Sequence, residues 1–228
     1  MLGDILQSGV LPRDQASWRA ECLVRHRIAE RRFLLDFIPP DSSGAELGVF
    51  TGLFSAVLAR ESKAKCITFV DPWWLAYGDS YPSWGAYTAF GTLSTKSAYD
   101  LARARISKAG LAGRSTEAAF SYDWLNGQPD RSLDWVYLDS THSLEGTRAE
   151  LKLLDAKLTE TGVILGDDWQ WDQTHRHHGV SLAVNEFVKI SDFEFVFCGL
   201  AMQWMLRRKR HARIYQSVLV RDQLYSNL

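Results

Sequence analysis

Short apolar runs alternate with amphipathic segments along the central part of this chain. The run from Leu133 to Asp139 reads Leu-Asp-Trp-Val-Tyr-Leu-Asp, which predicts a buried strand. The segment after it, Ser143 to Leu158, places leucines along one face, as an amphipathic helix does. Strands that alternate with helices in this way predict a parallel sheet covered by helices.

The same pattern predicts elements over most of the chain. The predicted strands are one that starts after Ser43, then Lys65 to Val70, Leu111 to Ala119, Leu133 to Asp139, Val163 to Gly166, Phe193 to Cys198 and Ala201 to Leu206. The predicted helices are Asp14 to Phe37, Leu53 to Arg60, Ser94 to Ala109, Ser143 to Leu158 and Leu182 to Ile190, with a short turn at Tyr122 to Leu125. The predicted fold class is therefore α/β: a Rossmann-like, doubly wound, mostly parallel seven-stranded sheet with an antiparallel edge strand and helices on both faces.

At 228 residues, the chain is long enough for one buried core with appended segments. We expect an N-terminal helical segment over residues 1–40, a ligand-binding domain over 41–212 and a C-terminal tail over 213–228. The tail is predicted either to add a strand or to cap a dimer in a homo-oligomer. Residues 73–93 lack periodicity and are long for a connection, so they predict a lid or a substrate loop.

Composition narrows the class of protein. Hydrophobic residues make up 46% of the chain and the net charge is −1, which disfavours disorder and bulk polyanion binding. No apolar run is long enough to cross a membrane, and the N-terminus lacks a signal-peptide pattern, so a soluble cytoplasmic protein is expected. The basic run at 207–211 is predicted to be a solvated sheet edge and not a nucleic-acid site.

Other residue types add narrower expectations. The three cysteines, Cys22, Cys66 and Cys198, are predicted to be free thiols, the last two of them buried. The helix over Asp14 to Phe37 is predicted to bury Trp18, Cys22, Ala29 and Phe33 and to expose Arg25, Arg27, Arg31 and Arg32. Nine tryptophans exceed what a core requires, and those in suspected loops are predicted to line a pocket: Trp73, Trp74, Trp84, Trp169 and Trp171.

The corner from Gly44 to Gly52 predicts a cofactor site. It reads as a strand, a glycine turn and a helix, and the N–H groups that open such a helix suit a polar ligand. Glu46 stands where a dinucleotide fingerprint has its first glycine. A carboxylate repels a pyrophosphate but attracts an amine, so S-adenosylmethionine is favoured over NAD. A plain strand-turn-helix corner would carry the same pattern.

Two later positions extend this predicted cofactor site. Asp71 ends the second strand, nineteen residues past Gly52, where an acid hydrogen-bonds ribose hydroxyls; the alternative is a strand-end cap. Ser115, on the third strand, is predicted to lie near the adenine edge. The predicted cofactor contacts are Glu46, Gly48, Phe50, Thr51, Gly52, Asp71, Pro72, Trp73, Ser115 and Asp139.

Three carboxylates end neighbouring predicted strands: Asp139 on the fourth, and Asp167 with Asp168 on the fifth. Like charges at close range destabilise one another unless they are compensated, and a divalent cation such as Mg²⁺ would compensate them. The alternative is that these acids cap helices or bind the cofactor directly.

His142 follows Asp139 by three residues, so its imidazole should reach the same site. There it could remove a proton from a hydroxyl group as a general base. The alternative is a helix cap or a surface histidine. His175, His177 and His178 are further candidates, unless they are simply surface residues.

Together these motifs resemble class I S-adenosylmethionine-dependent methyltransferases. They are Glu46-x-Gly48-x-x-x-Gly52, Asp71, Asp139-x-x-His142 and Gly166-Asp167-Asp168. More narrowly, the chain resembles the macrocin-type sugar O-methyltransferases and the related cephalosporin hydroxylase-like group, over about residues 43–197. The resemblance implies that Asp139, Asp167 and Asp168 bind Mg²⁺ and that His142 is the base. The lid over residues 73–93 and the loop over residues 169–178 do not follow the family pattern.

The expected function is O-methylation of a hydroxyl on a sugar or glycosylated small molecule, with S-adenosylmethionine as methyl donor and a metal to assist. Two alternatives stay open. One is a metal-independent methyltransferase that acts on nitrogen or a carboxylate, and the other is a binding protein of the same fold without turnover.

Overall fold

The structure, a computed structural model, describes residues 14–209, and for residues 21–26 the backbone alone. Seven strands form one sheet: β1 (Ser43–Leu47), β2 (Cys66–Asp71), β3 (Gly113–Ala118), β4 (Leu133–Leu138), β5 (Leu158–Gly166), β6 (Phe193–Leu200) and β7 (Gln203–Arg208). Seven α-helices accompany the sheet in this part of the chain: α1 (Gln15–Arg31), α2 (Leu53–Glu61), α3 (Trp74–Tyr77), α4 (Thr95–Lys108), α5 (Ser121–Gly127), α6 (Leu144–Lys157) and α7 (His178–Ile190). Short 3₁₀ segments span Arg32–Phe37 and Gly85–Gly91. None of the helices in residues 14–209 is both long enough and apolar enough to span a bilayer.

The strand order is β3-β2-β1-β4-β5-β7-β6. The first five strands pair in parallel, and β7 is antiparallel to both of its neighbours. The predicted α/β class and the antiparallel hairpin at the sheet edge are confirmed. Strand β7, which lies between β5 and β6, is the strand that runs in the opposite direction. The edge strand β6 runs in the same direction as the parallel strands. A turn with left-handed backbone at Ala201 and Met202 joins the two strands.

Most predicted elements lie within a few residues of their expected bounds, because their caps can be read from the sequence. Ser94 and Ser143 cap α4 and α6 with their side chains, and Gly110 ends α4 with a φ of 89°. The exception is β5. It begins at Leu158, directly after α6, although Thr161-Gly162 suggested a break.

Two apolar layers pack on opposite faces of the sheet. One joins α1, α2, α4 and the segment 73–93, and the other joins α5, α6 and α7. The segment 73–93, which we call the lid, is tied to the start of α4. Tyr81 N–H donates to the Leu93 carbonyl at 3.0 Å, and Thr95 N–H donates to the Asp79 carbonyl at 3.1 Å.

The predicted faces of the segment from Asp14 to Phe37 are right only in part: Phe33 packs against the core as expected, but other positions do not follow the prediction. Ala29 is exposed, whereas Arg31 is 7% exposed. Arg27 is half-buried. Cys22 and Arg25 lie where side chains are not described, so their predictions are not tested. The helix has few large apolar residues, so the sequence pattern did not show which face is buried. That face is set instead by the acids of the sheet that pair with Arg27 and Arg31.

Two other expectations from the sequence need correction. Cys66 and Cys198 are free thiols but only half-buried. In the basic run, Arg208 is buried: it bonds to the Asp155 carboxylate at 2.9 Å and lies over the Phe193 ring. The residues of that run from Arg210 onward, and the tail, lie outside the described residues.

Hydrogen bonds between strand ends bring the loops of interest together. Gly48 N–H donates to the Val70 carbonyl at 2.8 Å, and Asp139 N–H donates to the Leu47 carbonyl at 2.8 Å. Asp167 N–H continues the series to the Leu138 carbonyl at 3.1 Å. The ends of β2, β1, β4 and β5 therefore form one row at the carboxyl edge of the sheet.

Gly52 offers a test of the packing between α2 and α4. Its φ is 75°, and a Cβ at this position would lie 2.6 Å from the Ala102 Cα atom. Gly52→Ala should lower the free energy of unfolding by roughly 1–2 kcal/mol for the left-handed backbone. Overpacking should remove roughly 1–3 kcal/mol more. Urea unfolding measures both.

Gly110→Ala is the matched control, because its φ is 89° but nothing lies within 4 Å of the added carbon. It should show the backbone cost alone. Equal losses in the two variants would contradict the assignment of Gly52 to close helix packing.

Candidate active site

A cavity of about 720 Å³ opens at the carboxyl edge of the sheet. Its volume lies in the range of roughly 300–1,000 Å³ that is typical of small-molecule sites. Nine of the predicted site residues line it: Glu46, Gly48, Phe50, Thr51, Asp71, Pro72, Asp139, His142 and Asp168. The topology therefore brings residues from four strand ends, up to about 120 positions apart in the chain, to one place.

The glycine corner after β1 forms the floor of the cavity. Gly48 has a φ of 99°, and a side chain there would collide with the Asp139 carbonyl. Asp71 holds the turn: one of its carboxylate oxygens accepts from the Val49 and Phe50 N–H groups, each at 2.9 Å. Its other oxygen accepts from Trp73 N–H at 2.9 Å. Asp71 thus shapes the loop, and its role toward a ribose stays a prediction.

Glu46 is the penultimate residue of β1; it lines the cavity and is 2% exposed. The Ser55 hydroxyl donates to its carboxylate. Burial raises the pKa of Glu46 well above its usual range, in spite of that hydrogen bond. A buried acid of this kind fits a cationic ligand group, because the ammonium would favour the ionised carboxylate.

Three predicted cofactor residues do not line the cavity. Gly52 packs against α4, as described above. Trp73 is fully buried, and its indole N–H donates to the Phe50 carbonyl at 3.0 Å. It therefore supports the glycine corner and does not face the cavity. Ser115 lies in the middle of β3, where its hydroxyl donates to Thr68 at 3.0 Å. Ser115 does not reach the cavity because β3 continues for three residues beyond it, to Ala118.

Phe120 and Ser121 come just after β3, whereas Ser115 lies within it. Both line the cavity just after the end of β3, and the Phe120 side chain is 44% exposed. The signal that could have found them is the strand end itself, since ligands meet the residues after a parallel strand and not those within it.

The three carboxylates converge as predicted. One oxygen each of Asp139, Asp167 and Asp168 lies within 4.8 Å of the others. Asp168 has a φ of 59°, a left-handed conformation that aspartate tolerates better than most residues. The donor set suits a hard divalent cation.

Two arginines of α1 bind these same acids. Arg31 donates from one guanidinium nitrogen to Asp139 at 3.1 Å and from the other to Asp167. Arg27 donates to Asp167 at 2.6 Å and approaches Asp168 at 3.4 Å. The prediction that these arginines form a solvated face is wrong. The acids are also compensated within the chain, which the sequence argument for a metal did not foresee.

Two histidines complete the charge cluster. His142 Nε2 lies 3.0 Å from Asp168 and 3.5 Å from Asp139, and His177 Nδ1 lies 3.0 Å from Asp168. The two imidazole rings stack at 4.4 Å. His142, Asp168 and His177 also form a second group of donor atoms within 4.8 Å of one another. Two arginines and two histidines thus surround three acids.

The acids and histidines alter one another's protonation. Burial by itself lowers the pKa of His142, but the hydrogen bonds and charges of Asp139 and Asp168 raise it to about 10. Burial by itself raises the pKa of Asp168, but its bonds to His142 and His177 hold that pKa well below the usual range. As the side chains stand, His142 therefore carries a proton near neutral pH.

The other candidate histidines lie apart from the acids. His175 is exposed and touches the edge of the His177 ring, while His178 Nδ1 pairs with the Gln170 carbonyl at 2.9 Å. Among the three runner-up histidines, only His177 lines the cavity. The pattern could not separate them, because the loop that carries them has no periodicity.

Aromatic side chains of the lid form the opposite wall. Tyr77, Tyr81, Trp84 and Tyr87 line the cavity, and Tyr87 stacks on Phe50 with ring centroids 4.8 Å apart. Of the five loop tryptophans predicted to line a pocket, Trp84 alone does so. Trp73 and Trp169 are buried, and Trp74 and Trp171 are on the surface. Aromatic residues of the lid do line the cavity, but most of them are tyrosines and not the predicted tryptophans.

The strand order and the glycine corner define the class I fold of S-adenosylmethionine-dependent methyltransferases. Residues 45–169 match the family model described as a methyltransferase domain. Because this match spans more than half of the chain, the protein belongs to that methyltransferase family, whose methyl donor is S-adenosylmethionine. No curated protein sequence is significantly similar to the chain.

Solved structures support the fold. A predicted rRNA methylase from Clostridium thermocellum shares 12% identity with a TM-score of 0.55, over 79% of this chain and 95% of that one. A predicted O-methyltransferase from Klebsiella pneumoniae shares 12% identity with a TM-score of 0.52, over 91% and 87% of the two chains. A predicted methyltransferase from Streptococcus mutans, in complex with SAH, shares 12% identity with a TM-score of 0.55, over 79% and 96%. At such identities the likeness concerns the fold alone.

Glu150 on α6 supports the cavity wall from behind. Its Oε1 atom accepts from the hydroxyls of Ser140 at 2.6 Å and of Ser121, both of which line the cavity. Its Oε2 atom is buried without a hydrogen-bond partner. Burial raises the pKa of Glu150 to about 7.

This buried acid predicts a pH effect on stability. Between the unfolded pKa, about 4.5, and the folded pKa, about 7, the unfolded chain binds fewer protons, so stability falls as pH rises. The loss is on the order of 3 kcal/mol. Glu150→Gln removes the group that titrates, so the variant should not lose this stability. Measured by urea unfolding, its free energy of unfolding relative to the wild type should therefore rise between pH 5 and pH 8.

Glu145→Gln is the control, because it removes an exposed acid from the same helix. Its difference from the wild type should stay within roughly 0.5 kcal/mol at both pH values. If Glu150→Gln also stayed at a constant difference from the wild type, Glu150 would be ionised throughout and its pKa not raised.

Proposed function

We propose that this methyltransferase transfers a methyl group from S-adenosylmethionine to a hydroxyl of a sugar or glycosylated small molecule. The observation that carries the proposal is that Asp139, Asp168 and His142 line the same cavity as the glycine corner, with Asp167 buried beside them in the same group of acids. Structural neighbours described as O-methyltransferases are consistent with it.

S-adenosylmethionine supplies a methyl group on a positively charged sulfur. In the proposal, Glu46 pairs with the ammonium of its aminoacyl end, and Asp71 and the backbone of residues 48–51 hold the nucleoside side. Phe120 and Ser121 flank the adenine. Each of these residues lines the cavity. The lid aromatics cover the acceptor with apolar surface and exclude water.

In the proposal, Asp139, Asp167 and Asp168 hold a divalent cation, with Mg²⁺ as the expected ion. This ion would orient the acceptor hydroxyl and lower its pKa. The acids supply the oxygen donors that such an ion prefers, but their oxygens are bonded to Arg27 and Arg31 as the side chains stand.

His142 accepts the hydroxyl proton at Nε2 in this mechanism. To do so it must start neutral, whereas Asp139 and Asp168 favour its charged form. The proposal therefore requires that these two acids be paired with a cation other than the imidazolium. In this proposal, a cation held by the acids would also leave His142 free to act as a base.

A metal-independent methyltransferase that acts on nitrogen or a carboxylate is the second candidate. The observation in its favour is that Arg27 and Arg31 already balance the acids. The two candidates differ in one simple respect, which is whether turnover survives removal of divalent ions.

S-adenosylhomocysteine should raise the melting temperature by roughly 5–10 °C at a hundredfold excess over its Kd, measured by differential scanning fluorimetry. Glu46→Gln should reduce this rise, because the amide no longer attracts the ammonium. Methylthioadenosine lacks the aminoacyl end, so it should stabilise both proteins equally. No response of the wild type to S-adenosylhomocysteine at millimolar concentration would refute the cofactor assignment.

Turnover should require both the acids and the base. With a panel of glycosides as acceptors, S-adenosylhomocysteine release should stop in EDTA and return with Mg²⁺. Asp168→Ala should not respond to Mg²⁺, and His142→Ala should lower kcat by roughly 10²–10⁴.

Asp172→Ala and His175→Ala are the controls, since both residues are exposed on the loop after β5. They should behave as wild type, and all four variants should keep the thermal response to S-adenosylhomocysteine. Full activity in EDTA would favour the metal-independent candidate, and near-normal turnover of His142→Ala would remove this histidine from the mechanism.

A further inference from the structure

Two arginine side chains of helix α1, which precedes the matched segment 45–169, pair with the carboxylates. Arg27 and Arg31 are four residues apart and therefore project from the same face of the helix. Arg31 bridges two strand ends, since its guanidinium bonds to Asp139 after β4 and to Asp167 after β5. Arg27 reaches Asp167 and Asp168.

The arginines use the same oxygens that a cation would need. Asp167 Oδ2 accepts from both guanidinium groups, and Asp167 Oδ1 accepts from the Gln203 amide. Asp139 Oδ2 accepts from Arg31, at 3.1 Å. A guanidinium and a divalent ion bind carboxylate oxygens through the same lone pairs. A cation that binds Asp167 Oδ2 would therefore have to displace the guanidinium groups from this oxygen.

The surroundings favour the guanidinium while α1 is docked. The Arg31 side chain is 9% exposed and lies over the Phe54 ring at 5.6 Å. Arg27 is different: its side chain is 23% exposed and borders the cavity, so it can turn toward solvent without moving the helix.

We propose that Arg27 and Arg31 compete with a divalent cation for Asp139, Asp167 and Asp168, and so set the cation affinity of the site. This inference rests on the proposed metal-assisted function. Binding of a cation displaces both guanidinium groups from the acids and loosens the C-terminal turns of α1. The coupling is reciprocal: whatever holds α1 in place weakens cation binding by the same factor.

Direct titration with Mn²⁺, followed by the EPR signal of the free ion and without cofactor or acceptor, tests the competition. Arg27→Gln and Arg31→Gln should each bind Mn²⁺ at least tenfold more tightly than the wild type. Arg31→Lys keeps the charge but cannot bridge both acids. Its Mn²⁺ affinity should therefore fall between that of the wild type and that of Arg31→Gln. This variant and Arg27→Gln keep the test valid if Arg31→Gln does not fold.

Two control variants separate local competition from general charge. Arg19→Gln removes an exposed arginine from α1, and Arg176→Gln removes one that lines the cavity. Neither should change the Mn²⁺ affinity by more than about twofold. Asp168→Ala should abolish the tight binding of the arginine variants.

Hydrogen exchange supplies a second readout. Saturating Mg²⁺ should speed amide exchange over the last turns of α1 in the wild type and should leave exchange in β4 unchanged. Slower or unchanged exchange in α1 would contradict the displacement.

The outcomes distinguish the inference from the proposed function. Equal Mn²⁺ affinity in the wild type and the arginine variants overturns the competition and leaves the metal-assisted function intact. A lack of binding in every protein overturns the competition and removes the metal from the proposed function. In both cases the thermal response to S-adenosylhomocysteine still decides the cofactor.

Discussion

The repulsion among three carboxylates at two adjacent strand ends is the constraint around which the site is arranged. Asp139, Asp167 and Asp168 lie together because β4 and β5 are parallel neighbours whose ends continue the hydrogen-bond ladder. Removal of one partner from a buried ion pair typically costs about 3–5 kcal/mol, so these charges cannot be left unbalanced. The guanidinium groups of α1 and the imidazoles of His142 and His177 all contact these acids.

The need for charge balance gives α1 a role beyond packing. Two of its arginines reach the acids and hold the helix against the end of the sheet. The β6–β7 hairpin supports the same acids from the other side. Gln203 bonds to the Asp167 carboxylate, and the Trp204 indole N–H donates to the Asp167 carbonyl at 2.9 Å. The N- and C-terminal parts of the fold therefore meet at one aspartate.

Three residues around the cavity have unfavourable backbone conformations. Phe50, Trp73 and Asp168 are non-glycine residues with positive φ, and all three adjoin the glycine corner or the acids. Such conformations persist only where the surroundings enforce them. Here Asp71 enforces two of them, since its carboxylate accepts from the N–H groups of Phe50 and Trp73. Asp71 is thus as much a part of the architecture of the loop as a candidate ligand contact.

Sequence by itself determined most of the elements, the parallel direction of the central strands and the identity of most acids in the site. Apolar runs, serine caps and glycine stops act over a few residues, so Leu133 to Asp139 or Ser94 to Ala109 could be placed without tertiary information. The rule that ligands bind at the carboxyl ends of parallel strands then brought Glu46, Asp71 and Asp139 together.

Only the tertiary structure decided which side chains balance the acids and which wall the cavity. Arg31 is more than a hundred residues from Asp139, and α1 has too weak an apolar pattern to reveal its buried face. Ser115 and Trp73 were misplaced because a strand end and a loop orientation are set by neighbours and not by local sequence. Local sequence specifies what a segment becomes, whereas long-range charge and packing specify what it faces.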